Sequence, residues 1–145
     1  MILNIDFAPL MADYAGLEKP TYMQGKSFRA LLNGKKTLRW RNEIYYRYWL
    51  HHPDRPAHFG IRNERYKLAY FYGKGLNKKG VHPTQTKPEW EFYDLQEDPK
   101  ENYNAIANPK YKELIKNMKT ALIKLREQYG DTDPDHPELQ LAISQ

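Results

Sequence analysis

Residues 108–130, NPKYKELIKNMKTALIKLREQYG, constrain the fold more than any other stretch of this chain. Tyr111, Leu114, Ile115, Met118, Leu122, Leu125 and Tyr129 recur at three- and four-residue spacing, the period of one helix face. Asn108 is placed to cap that helix, Pro109 suits its first position, and Gly130 suits its stop. A stripe that long and that apolar must be buried against another layer of structure.

That layer can come from the preceding block. EIYYRYWL (43–50), HFGIRN (58–63), RYKLAYFYG (65–73) and WEFYDL (90–95) are rich in aromatic and branched residues, as strands are. The second and third are separated by about two residues around Asn63 and Glu64 and read as a hairpin. In the third, Tyr66, Leu68, Tyr70 and Tyr72 share one face, and Arg65, Lys67, Ala69 and Phe71 the other. GKGLNKKGVHPTQTKPE between the third and fourth strands reads as a loop, and EDPKENYNAIANPKY after the fourth as a turn-rich connector. There Asp98 and Asn102 read as turn and capping residues rather than calcium ligands, since the run lacks EF-hand spacing.

Two short helices precede the strands. NIDFAPLMADYAGL has Asp6 at the N-cap, Pro9 in the first turn, and Phe7, Leu10, Met11 and Tyr14 at helical spacing before Gly16. GKSFRALLNGK starts at Ser27 and ends at Gly34, with Phe28, Leu31 and Leu32 as its packing residues. Both are too short to stand alone. The chain is therefore expected to be α+β: a four-stranded antiparallel sheet packed by a long C-terminal helix, plus the two N-terminal helices. The expected division is a helical segment at 1–40, a sheet-and-helix subdomain at 41–131 and an irregular tail at 132–145. No internal repeat is visible, and 145 residues suit one domain rather than two.

The net charge of +5 favours anionic partners: nucleic acid, sulfated or phosphorylated sugars, or anionic lipid. With no cysteine there are no disulfides, thiolate metal sites or cysteine nucleophiles. No apolar run approaches the length of a membrane span, and the N-terminus lacks the basic lead and cleavage pattern of a signal peptide. The five histidines, His51, His52, His58, His82 and His136, do not fall at metal-site spacing, and adjacent His51 and His52 would point to opposite sides of a strand. Neither Ser27 nor Ser144 sits in a nucleophile elbow. The cations of the hairpin remain. His58 and Arg62, four residues apart, share a strand face, as do Arg65 and Lys67 on the next arm. They form either a positive patch for sulfate, phosphate or carboxylate or a solvated face balanced by Glu64 and Glu91.

Taken in order, several phrases resemble one family. In the first, Asp6, Ala8, Pro9, Asp13, Ala15 and Gly16 match, with Leu10 where threonine is usual. Met23-Gln24-Gly25-Lys26-Ser27 follows. Arg62, Arg65, Tyr66, Lys67 and Leu68 match an Arg-Thr-x-Arg-Tyr-Lys-Leu phrase, with Asn63 in the threonine position. Tyr93-Asp94-Leu95, then Asp98-Pro99, Glu101 and Asn104, complete the series. Covering about residues 4–131, this is similar to the C-terminal subdomain of formylglycine-dependent (type I) sulfatases of the alkaline phosphatase superfamily, bacterial polysaccharide-sulfatase type.

The resemblance implies a four-stranded sheet with a long helix at the rim of a substrate pocket. It also implies that an upstream catalytic domain supplies the Cys-or-Ser-x-Pro-x-Arg segment that becomes formylglycine, together with the calcium ligands. Neither can be mapped here, so the chain is expected to be a piece of a periplasmic or secreted sulfatase, inactive by itself. No catalytic residue and no metal ligand is assigned to it. His58 and Arg62 become the expected contacts to a sulfated glycan. Arg65 and Lys67 complete the candidate substrate set, with stems expected to cover the Tyr-rich sheet. The expected partners are the catalytic domain and the sulfated glycan; without that domain, residues 1–40 are expected either to pair with a second copy of the chain or to be disordered. A nucleic-acid-binding module and a free-standing sulfated-glycan-binding module are the alternative readings of the same basic, aromatic composition.

Overall fold

The computed structural model describes residues 1–35 and 40–144. The chain divides into two compact units, Met1–Asn42 and Glu43–Gln145.

In the first unit a 3-10 turn, Asn4–Asp6, leads into α1, Phe7–Tyr14, and a short α2 spans Arg29–Leu32. Asp6 stands at the N-cap of α1, yet its carboxylate does not cap that helix. It accepts instead from the backbone N–H of Leu3 at 2.8 Å and of Lys26 at 2.9 Å, and from the Arg41 guanidinium, whose Nη2 lies at 2.8 Å. Burial alone would raise its pKa, but the bonds from Arg41, Lys26 and Leu3 outweigh burial and hold it below the usual range. Asp13 joins the two helices by accepting from Ser27 Oγ at 2.5 Å and Arg29 Nη1 at 3.0 Å. Ser27 in turn accepts from the Arg29 N–H at 3.3 Å, and the Phe7 and Phe28 rings meet edge to face. Gly16 ends α1 at φ 69, a left-handed conformation that suits glycine. Phe28 is buried, but Phe7, Met11, Tyr14, Leu17 and Leu32 are exposed.

The second unit is an antiparallel meander in the order β1 (Glu43–Tyr48), β2 (His58–Asn63), β3 (Tyr66–Phe71) and β4 (Glu89–Asp94). Asn63 makes the β2–β3 turn by accepting from the N–H of Arg65 at 2.9 Å and of Tyr66 at 2.7 Å. The outer edge of β4 is covered by the connector. Asn104 accepts from the Phe92 N–H and donates to the Trp90 carbonyl, and the Ala105 N–H bonds the Phe92 carbonyl. Asn104, rather than Asn102, is thus the anchoring side chain, while Asp98 does close its turn on the Tyr103 N–H.

The long helix follows a 3-10 turn, Pro109–Tyr111, in which Asn108 Oδ1 accepts from the Lys110 N–H. It runs as α3, Lys112–Gln128, and Gly130 stops it at φ 66. Ile115, Met118 and Leu122 bury against Phe59, Ile61, Leu68 and Phe92 in one core. Burying a side chain of this size contributes about 1.5–3 kcal/mol. The tail departs from expectation. Residues 132–145 are not irregular throughout, because Pro137–Ser144 form α4, whose Leu139 and Ile143 enter the same core. The short PELQLAIS run carries little periodicity, and its helix depends on this packing.

Candidate functional site

The two faces of the sheet differ in chemistry because alternate residues point to opposite sides. Residues Phe59, Ile61, Leu68 and Phe92 face the helix. The opposite face carries Ile44, Arg62, Lys67 and Tyr93 in one cross-strand row, Tyr46, Gly60, Ala69 and Glu91 in the next, and Tyr48, His58, Phe71 and Glu89 in the third. The middle row explains two small residues. A Cβ on Gly60 would stand 2.6 Å from both Tyr46 Oη and the Leu68 carbonyl, so the Tyr46 ring lies where any side chain at position 60 would go. Tyr46 Oη is buried there without a hydrogen-bond partner among the described residues. Burial raises its pKa, with Glu101 adding to the effect.

His58 stands in an aromatic setting, its ring centroid 4.7 Å from Phe71, 5.8 Å from Tyr48 and 5.9 Å from Tyr46. Its Nδ1 is 2.9 Å from the Pro56 carbonyl, an acceptor only, so Nδ1 carries the proton of that bond. The bond fixes the ring and leaves Nε2 for another partner. Arg62 is exposed on the same face, with no ion pair or hydrogen bond seen among the described residues.

The other two candidates are engaged. Arg65 grips Asp94 with two bonds of 2.9 Å, from Nε and Nη2. Buried Asp94 also accepts from Tyr111 Oη at 3.0 Å and the Gln96 N–H at 3.2 Å. The Arg65 bonds, and after them those of Tyr111 and Gln96, outweigh burial and bring the Asp94 carboxyl down to about 2. Lys67 pairs with Glu101 and lies 5.6 Å from the Tyr93 ring centroid. Tyr93 Oη donates to Glu91 at 3.1 Å, and burial, then Glu91, pushes its pKa up to about 12. The structure therefore brings His58, Arg62 and Lys67 to one face and fixes Arg65 to the β4 end of the sheet.

Two polar constellations were not legible in the sequence. Arg47 reaches Asp131 at 2.5 Å and bonds Asp133 twice, at 2.7 and 2.9 Å. Arg126 reaches Asp133 at 2.6 Å and the Asp131 carbonyl at 2.9 Å, and Tyr45 Oη bonds the Asp131 carboxylate. Tyr45 and Arg47 lie 84–86 residues from these aspartates, across β1 and the end of α3, so local spacing carries no sign of those bonds. The second is His51, buried within HHPD. Its Nδ1 accepts the Ala57 N–H, so Nε2 carries the proton and donates to the Thr84 carbonyl at 2.9 Å, tethering the 74–88 loop.

The four-stranded antiparallel meander under one long helix is the arrangement that the resemblance to sulfatase C-terminal subdomains implies. The family model described as N-sulphoglucosamine sulphohydrolase, C-terminal, matches residues 1–128, and the chain belongs to that family. An N-acetylglucosamine-6-O-sulfatase of Bacteroides thetaiotaomicron is 34% identical over 143 residues, covering 96% of this chain and 24% of that protein. A ulvan-active sulfatase of Formosa agariphila is 32% identical over 141 residues, 81% of this chain and 28% of its own length. Among solved structures, BT4656 in complex with its substrate D-glucosamine-2-N,6-O-disulfate superposes with a TM-score of 0.74 at 34% identity, over 90% of this chain and 25% of that one. The chain thus spans about a quarter of the length of these relatives.

The resemblance implies calcium and formylglycine for an upstream catalytic domain. Among the described residues no three His, Asp or Glu side chains converge to hold a metal ion. The part-buried carboxylates Asp131 and Asp133 are taken by Arg47 and Arg126. There is no cysteine, and no serine is followed by x-Pro-x-Arg.

Proposed function

We propose that this domain forms part of the substrate rim of a glycan sulfatase, with His58 and Arg62 as the groups that meet the sulfated sugar. One observation carries the reading: of the four hairpin candidates, Arg65 and Lys67 are already engaged by Asp94 and Glu101, whereas His58 Nε2 and the Arg62 guanidinium are held on the open face without an acidic partner among the described residues. Arg62 supplies a planar fork matched to sulfate oxygens. His58 supplies an acceptor for a sugar hydroxyl when neutral and a donor to sulfate when protonated. Four residues of strand separate their backbones by about 13 Å, so they serve neighbouring groups of an oligosaccharide rather than a single sulfate. Arg65 and Lys67 act at one remove, by fixing the hairpin and the connector.

In this reading the bond-breaking chemistry, with the formylglycine nucleophile and calcium implied by the family, belongs to a catalytic domain, and the substrate is a glucosamine sulfate or a related sulfated glycan. The exposed Phe7, Met11, Tyr14, Leu17 and Leu32 of the first unit are the surface for that domain. Without it, two copies of the chain associate through residues 1–40, so light scattering should show a dimer. Titrating isotopically labelled protein with D-glucosamine-2-N,6-O-disulfate tests the substrate assignment. The expected result is saturable shifts in the His58 ring and Arg62 guanidinium signals that unsulfated glucosamine does not produce. Equal responses to both sugars, or shifts confined to other residues, would refute it.

A further inference from the structure

On the helix side of the sheet, a groove of about 1060 Å³ runs along the flank of α3. Its floor is apolar, made by Ile106, Ile115, Ile123 and Ile143. One wall is cationic: Lys112, Lys116 and Lys119 follow one another at intervals of four and three residues, which places their heads in a row on one helix face. The helix rise spreads them over about 10 Å. Glu113 is the acid among the lining residues, and it lies 4.0 Å from Lys116 at the exposed lip.

Lys119 differs from a freely solvated surface lysine. It is half-buried and its Nζ lies 4.4 Å from the centroid of the Trp90 ring, whose Nε1 donates to the Ala142 carbonyl. Burial lowers its pKa. The groove therefore offers a row of ammonium groups beside an apolar floor, with Lys119 seated on the Trp90 ring.

We propose that this groove binds a second stretch of sulfated glycan chain. The three ammonium heads complement anionic groups repeated along a polymer, over a length comparable to a disaccharide. The isoleucine side chains suit the C–H faces of the sugar rings. The groove lies on the opposite side of the sheet from His58 and Arg62. A chain of several sugars held here stays attached to the domain while another segment is read at the open face. The choice of a glycan as ligand rests on the sulfatase reading above, but the groove itself does not.

A heparin-derived tetrasaccharide is the probe. The combined variant Lys112→Gln, Lys116→Gln, Lys119→Gln keeps good helix formers at all three sites. It is compared with Lys79→Gln, Lys87→Gln, Lys124→Gln, which removes the same charge from exposed positions elsewhere. The groove variant should bind about tenfold more weakly with a shallower salt dependence, and the control variant should retain near-parent affinity. Circular dichroism checks that both are folded. Equal weakening in both variants would mean unspecific charge attraction, and unchanged binding in the groove variant would remove the site. A single-stranded oligonucleotide that outcompetes the tetrasaccharide for the groove would replace the glycan as occupant. The two proposals separate in one titration, because shifts over 112–120 report on the groove and shifts at His58 and Arg62 report on the open face.

Discussion

The helix-covered face of the sheet and the open face are built from the same four strands, yet they are stabilised in different ways. Under α3, Phe59, Ile61, Leu68, Phe92 and Leu122 are almost fully enclosed, and their contribution comes from apolar area removed from water. On the open face, Tyr46 covers Gly60, His58 is wedged among three aromatic rings, and Arg62 reaches into solvent. Groups whose hydrogen-bonding or charge capacity is taken up inside the fold, such as Arg65, Arg47 and Arg126, shape it. Groups whose capacity is left over are where a ligand can gain binding energy. Two residues three positions apart in the hairpin, Arg62 and Arg65, fall on opposite sides of that distinction.

The largest test strikes the covered face. Phe92→Ala should lower unfolding free energy by about 3–5 kcal/mol in denaturant titration, because the enclosed site cannot collapse around the loss. Asp133→Ala, at the margin of that core, should cost about 3 kcal/mol by leaving the buried Arg126 without its carboxylate partner and Arg47 with Asp131 alone. If the loss were below 1 kcal/mol, the cluster would not be a clamp. On the open face Gly60→Ala should cost about 1–3 kcal/mol, since Tyr46 or the β3 backbone must move.

The Asp94 carboxyl gives a pH signature at the edge between the faces. Its pKa falls from 3.8 to about 2 on folding, so its contribution is complete above pH 4 and disappears as the pH drops through 2. Thermal melts between pH 5 and 2 should show that loss, and Arg65→Gln should flatten it. An unchanged slope in the variant would mean that Arg65 is not what lowers the Asp94 pKa.

The sequence carried the fold well because local patterns determine most of it. The stripe on α3, the Asn63 turn and the alternation along β3 all act over short separations. It carried α4 poorly, since eight weakly periodic residues become helical only against a core assembled elsewhere. It carried the candidate site in part. His58 and Arg62 share a face by strand period alone, but the engagement of Arg65 by Asp94 and of Lys67 by Glu101 depends on partners 29 and 34 residues away. Gly60 read as an ordinary strand residue, because only the assembled sheet shows the Tyr46 ring above it.

The most direct measurement of the central claim sets Arg62→Gln against Arg65→Gln, with affinity for D-glucosamine-2-N,6-O-disulfate and melting temperature read on both. Arg62→Gln should weaken binding by about tenfold, the value of one charge-assisted contact, and leave the melting temperature within error of the parent. Arg65→Gln should lower the melting temperature and leave sugar affinity nearly intact. If Arg62→Gln lost stability instead, or bound the sugar as the parent does, the open face would not be where this domain meets its substrate.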